Sequence, residues 1–207
     1  NKISDDILCR VEKPIRYTGG ELNSFSKDKN KVDIRVAFCF PDVYEVGMSH
    51  LGTKILYYTM NQREDTFCER AFAPWPDMEE QMRKNNIPMY TLETKDSLKV
   101  FDLVAFTLQY EMSYTNILNM LSMANIPIRA EDRTEDDPIV FCGGPCAYNP
   151  EPLYAVADFF ALGEGEVQLD EVLDLYKECK DKGLSKKEFL RKAVAIRGIY
   201  EIGRAHV

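Results

Sequence analysis

The sequence predicts an α/β fold, a five-stranded, mainly parallel sheet in a Rossmann-like or flavodoxin-like three-layer sandwich. Two observations carry this. Short runs rich in aliphatic and aromatic residues recur along the chain, and most are followed by a segment with helical spacing. The runs are also too apolar to leave one strand face in water, so helices must cover both faces of the sheet, the usual condition of parallel strands.

Residues 1–31 are polar, carry Pro14 and the Gly19-Gly20 pair, and show neither helical nor strand periodicity, so they read as an extended arm ahead of a domain at 32–200. The run DIRVAFCF at 33–40, closed by Pro41, is the first predicted strand. Ser49 is placed to cap a helix reaching about Gln62, with Leu51, Ile55 and Leu56 on one side. FCERAFA at 67–73 predicts the second strand, and Trp75-Pro76-Asp77 opens a helix at 78–86 that turns Met78 and Met82 toward the core. After a short strand or edge at 88–92, DLVAFTL at 102–108 predicts the third strand. A helix follows at 113–124, and Met112 just ahead of it, with Met120 and Met123 within it, are spaced as core or domain-contact residues. PIVFC at 138–142 and DFFAL at 158–162 predict the last two strands, followed by a long helix at 164–181. A final helix, capped by Ser185 with Glu188 at the capping-box position, runs to about Ile196.

With 207 residues, 45% apolar and 29% charged, the chain can bury a full core as one domain plus an extension. Its 26 basic and 34 acidic residues give a net charge of −8 with no basic stripe, which argues against direct nucleic-acid binding. No apolar run is long enough to span a membrane and the start lacks the order of a secretion signal, so a cytoplasmic location with reduced cysteines is expected. The segment EIGRAHV at 201–207 resembles translated sequencing-adapter read-through, which would make His206 foreign to the protein and leave His50 as the single natural histidine.

In parallel α/β folds ligands bind beyond the carboxyl ends of the strands, so the residues just after each strand are the candidates. After the first strand these are Tyr44, Gly47, Ser49, His50 and Gly52; after the third, Thr107, Leu108 and Gln109, followed by Tyr110 and Glu111. After the fourth they are Gly143, Gly144 and Pro145, and after the fifth Gly163, Glu164 and Gly165. Glycine lets backbone approach a ligand closely, though any one of these pairs also suits an ordinary turn. Glu164 and Glu166 equally suit a helix start, and the tyrosines ordinary packing. Gly47 and Gly52 do not have the spacing of a dinucleotide fingerprint. No aspartate ends the third strand, as a phosphorylated receiver domain would require.

The pieces KPIRYTGGE at 13–21, FPDVYEVGMSHLG at 40–52, FTLQYEMSYTNIL at 106–118, GGPCAYNPEP at 143–152 and LGEGE at 162–166 together resemble the cobalamin-binding-like domains that precede the barrel of radical SAM proteins. The resemblance covers 11–200. It implies a cobalamin held against the sheet edge, with Thr107 and Leu108 at the Ser-x-Leu type contact and Gly143 and Gly144 beside the nucleotide tail. It further implies a downstream radical SAM barrel as partner, carrying the iron-sulfur cluster and S-adenosylmethionine. Two departures bear on this. In the mutase-type motif Asp-x-His-x-x-Gly, Met48 stands at the Asp position and Thr53 at the Gly position, so His50 lacks the carboxylate that would orient a metal-bound imidazole. It is therefore either a cobalt ligand or a histidine that packs and hydrogen-bonds at a helix start. Cys142 and Cys146 have the first spacing of a cluster motif, but Asn149 holds the third position, so the segment alone is not expected to cleave S-adenosylmethionine. Two roles stay open: a module that positions a corrinoid, or a cofactor-free scaffold that docks the barrel.

Overall fold

The structure, a computed structural model, describes residues 3–201; His206 and all of the 201–207 segment but Glu201 lie outside the described residues. Among the described residues the sheet has six strands, β1 (Ile34–Phe40), β2 (Thr66–Phe72), β3 (Leu103–Thr107), β4 (Ile139–Gly143), β5 (Phe159–Ala161) and β6 (Ile199–Tyr200), in the order β2-β1-β3-β4-β5-β6. The expected count of five is thus corrected to six. The first five are parallel, and β6 pairs antiparallel with β5, Ile199 opposite Ala161 and Tyr200 opposite Phe160. A two-residue strand carries no readable period, which is why sequence pattern misses β6.

Among the described residues eight α-helices accompany the sheet. α1 (Asp5–Leu8) and α2 (Ile15–Thr18) are single turns within the N-terminal segment. The others are α3 (Tyr44–Ser49), α4 (Leu51–Gln62), α5 (Pro76–Lys84), α6 (Tyr114–Met123), α7 (Gly165–Asp181) and α8 (Lys186–Ala193). They form two layers. Met78 and Met82 of α5 and Ile117, Met120 and Leu121 of α6 pack on one face with Ala37, Val104, Val140 and Phe160. Tyr57 and Met60 of α4, Leu169 and Val172 of α7 and Phe189 of α8 pack on the other with Val36, Phe38, Ala105 and Phe141. Because α4 and α6, which follow the neighbouring strands β1 and β3, lie on opposite faces, the chain leaves the sheet in opposite directions there and a crevice opens.

Two helix starts repay inspection. At α8 the capping box forms as the sequence implies: Ser185 Oγ accepts from the Glu188 N–H at 3.3 Å and Glu188 Oε2 accepts from the Ser185 N–H at 2.9 Å. At α4 the cap is His50 rather than Ser49. Ser49 belongs to α3, where its hydroxyl donates to the Glu45 carbonyl, and His50 has extended backbone that separates the two helices.

All seven residues of the edge strand β2 are buried, Glu69 and Arg70 included. Glu69 accepts from Arg35 Nη2 at 2.5 Å, Thr91 Oγ1 at 2.6 Å and the Thr94 N–H at 3.1 Å. Arg70 pairs with Glu93 at 2.7 Å and Glu21 at 3.0 Å and lies 4.4 Å over the Tyr57 ring. The segment around Glu93 also takes the outward backbone bonds of Arg70, Leu92 N–H to the Arg70 carbonyl and Arg70 N–H to Glu93 Oε2, both 2.7 Å, while the Asn61 amide takes those of Cys68 and Lys27 Nζ donates to the Thr66 carbonyl. The open edge is thereby closed. Burial raises the Glu93 carboxyl above its ordinary value, with Arg70 opposing. Removing one partner of a buried pair leaves the other charge uncompensated, so Arg70→Met is expected to cost about 3–5 kcal/mol in urea-unfolding midpoints analysed at constant m.

Candidate functional site

The crevice at the carboxyl ends of β1, β3, β4 and β5 forms a cleft of about 140 Å³. Its floor is sheet: Phe38, Ala105, Phe141 and Ala161, with Thr107 and Gly143 at the mouth. Its walls are the first turns of α4 and α7, through Gly52 and Leu56 on one side and Gly165, Gln168 and Leu169 on the other. Among the described residues no lysine, arginine, aspartate or glutamate lines it. Two helix N-termini flank it, however, which favours negative charge just outside. An apolar cavity near 150 Å³ admits a benzene-sized ring, so the cleft suits one flat, uncharged group.

The glycines have distinct reasons. Gly144 has φ +100°, and a Cβ there would lie 2.9 Å from the Leu108 carbonyl oxygen. Gly163 has φ +119° with open space around it, so its requirement is conformational. Beside them, Gln109 Nε2 donates to Thr107 Oγ1 at 2.7 Å, leaving the Thr107 hydroxyl proton free to point elsewhere.

His50 borders the cleft, its ring centroid 5.5 Å from that of Phe40. Its Nδ1 accepts from the Thr53 N–H at 3.1 Å and lies 3.0 Å from Thr53 Oγ1. A backbone N–H can only donate, so Nδ1 carries the lone pair and the neutral ring holds its proton on Nε2. A metal-bound imidazole has the reverse arrangement, one nitrogen on the metal and the other donating to an acceptor. As it stands, His50 is a helix cap.

Of the residues singled out by sequence, His50, Gly52, Thr107, Gln109, Gly143, Gly144, Gly163 and Gly165 converge on the cleft. The remainder do not line it. Tyr44 stands edge-on to the Phe72 ring at 5.5 Å, and Gly47 lies beneath that ring, where a Cβ would fall 2.2 Å from Phe72 Cε1. Ser49 serves α3. Leu108 is fully buried, its N–H donating to the Gly143 carbonyl at 2.6 Å, so it fixes the β4 loop from behind. Pro145 is exposed at the start of the 3-10 turn Pro145–Tyr148, and Glu164 is the exposed residue preceding α7. Leu51, Tyr110 and Val167, each next in sequence to a residue of the cleft lining, are exposed apolar side chains, as are Met112 and Tyr148 in the segments that follow β3 and β4. Met120 and Met123 lie in the core, but Met112 does not.

Sequence reasoning misses Gln168. It shares the buried stripe of α7 with Leu169, Val172 and Leu173, and a lone glutamine on an apolar stripe is the signal that was available. The two candidate thiols sit apart from the cleft lining: burial pushes Cys142 up to about 12, and Cys146 is raised as well. Among the described residues no three His, Cys, Asp or Glu side chains gather to hold a metal ion, and the six cysteines form no disulfide. No helix among the described residues is long and apolar enough to cross a membrane. Because His50 caps α4, His50→Ala should cost about 1 kcal/mol in thermal or urea unfolding, and His50→Asn should recover most of it.

The model of the family "Radical SAM proteins, N-terminal" matches residues 52–201. The match begins at Gly52, just after His50, and takes in the other three strand-end loops of the cleft. The uncharacterized protein MJ0966 of Methanocaldococcus jannaschii is 26% identical over 141 residues, 67% of this chain and 25% of the relative. The chain thus spans about a quarter of the length of the curated relative it matches. No solved structure matches it. With an α/β domain whose matched region runs from the first turn of α4 through the last strand, the chain belongs to the family of radical SAM protein N-terminal regions.

Proposed function

We propose that the chain is a cobalamin-binding-type module of a radical SAM enzyme, holding a corrinoid at the sheet edge against an iron-sulfur barrel elsewhere in the parent protein. The observation that carries this reading is the glycine-bordered, charge-free cleft at the switch point between β1 and β3. Its volume suits the planar end of a nucleotide tail, and the flanking helix N-termini suit the tail's phosphate. The corrin, too large for the cleft, then rests outside it, where the adjoining segments carry the exposed apolar side chains Leu51, Tyr110, Met112, Tyr148 and Val167. A bound corrinoid supplies a cobalt centre able to carry a methyl group. This chain's own residues orient it: Leu108 and Gly144 set the loop geometry, and Leu56 and Leu169 exclude water from the inserted group.

One observation favours the scaffold reading instead. The Nδ1 lone pair of His50 is spent on Thr53, so the residues present fit the tail better than they fit the cobalt. Cobalt ligation by His50 therefore forms no part of the proposal. The two readings separate on equilibrium binding of hydroxocobalamin to the full-length protein. The proposal expects saturable binding whose visible spectrum is unchanged by His50→Ala and whose affinity falls at least about tenfold in Ala161→Leu, which enlarges a side chain of the floor. No binding would leave the scaffold role, and a spectral change lost in His50→Ala would restore the histidine as ligand.

A further inference from the structure

Away from the cleft, a larger cavity of about 470 Å³ lies between the N-terminal segment and α4. Leu22 and Phe25 line it from the segment and Ile55, Tyr57 and Tyr58 from α4, with Arg70 of β2 also in the lining. Its volume is more than three times that of the cleft and falls in the range of small-molecule sites. The fold itself holds the two walls in place. The segment turns at 21–24, closed by the Ser24 N–H to the Glu21 carbonyl at 3.1 Å, with Asn23 left-handed at φ +68°. Ser24 Oγ then accepts from Arg70 Nη2 at 2.9 Å and the Phe25 N–H donates to Tyr57 Oη at 2.8 Å, which ties the turn to β2 and to α4. A ligand entering such a preformed site loses little affinity to ordering it.

Two features of the lining define what it accepts. The first is apolar side chain left in water: Leu22 is 93% exposed, Tyr58 58% and Ile55 38%, and all three border this one cavity. Three aromatic rings meet there, the Phe25 centroid 5.6 Å from that of Tyr57 and 5.9 Å from that of Tyr58, so a flat apolar body finds ring surface on both walls. The second is charge. Among the described residues two basic side chains and no acidic one line the cavity. Arg70 is neutralised by Glu93 and Glu21, which lie outside the lining, whereas the exposed Lys54 ammonium has no hydrogen-bond or ion-pair partner among the described residues.

We propose that this cavity is a second binding site, for a small aromatic carboxylate whose ring lies against Phe25, Tyr57 and Tyr58 and whose acid group pairs with Lys54. The proposal is independent of the corrinoid reading, because no residue lines both this cavity and the cleft.

The test is calorimetric titration of the full-length protein with 2-naphthoate and with 2-naphthamide, which has the same shape without the charge. Naphthoate is expected to bind more tightly by about threefold to fivefold, as one partly exposed ion pair provides. Lys54→Gln should bring naphthoate down to the affinity of the amide, and Tyr58→Ala should weaken both compounds by about fivefold to tenfold through lost ring contact. Lys54 and Tyr58 are both exposed, so the fold should survive either change, and a thermal melt run alongside detects one that does not. Ala161→Leu, in the floor of the cleft, should alter neither affinity. Equal affinity for acid and amide, a preference that survives Lys54→Gln, binding lost in Ala161→Leu, or no binding of either compound each overturns the proposal.

Discussion

Everything placed at the candidate site follows from one constraint of the topology. β1 and β3 are hydrogen-bonded neighbours, Val36 opposite Leu103 through Cys39 opposite Phe106, yet the helices that follow them cover opposite faces of the sheet. No loop can fill the gap between two chain segments leaving in opposite directions. The crevice is thus a product of strand order, and the glycines and helix starts of four loops then shape it. Its deep end is apolar because its floor is the last turn of core: Phe38, Ala105 and Phe141 face both the core helices and the cleft.

That arrangement needs a closed sheet on its far side. β2 is an edge strand and would offer its backbone to any other strand, but Glu69 and Arg70 draw the N-terminal segment and the 91–96 segment over it. The buried ions cost desolvation and regain it through several partners each, an arrangement that specifies where those segments lie more than it adds stability. Tyr57, stacked under Arg70 and bonded through its hydroxyl to the Phe25 N–H at 2.8 Å, carries the same network onto α4, one wall of the cleft.

The sequence shows the fold plainly where elements are long and uniform. The parallel strands, the helix opened by Trp75-Pro76 and the Ser185 capping box are legible because apolar period and cap chemistry are local signals. β6 is illegible because two residues, shaped by Gly198 and by pairing with β5, carry no pattern. The site is legible in halves. Strand-end glycines identify the mouth, since backbone that must pass close to something leaves glycine behind. Tyr44 and Gly47 mislead because the loop after β1 folds into α3 and packs on Phe72 instead of opening toward the cleft. Gln168 escapes because its meaning depends on carbonyls at Leu162 and Arg197, contacts that no spacing along α7 reveals.

The proposed function puts the ligand of this domain in the cleft between α4 and α7. Amide hydrogen exchange of the full-length protein with and without a saturating corrinoid tests it most directly. The account predicts slowed exchange confined to the first turns of α4 and α7 and to the loops at 107–110 and 143–145, with β2 and α8 unchanged. Protection elsewhere with those four segments unaltered would place the ligand outside the cleft and contradict the account.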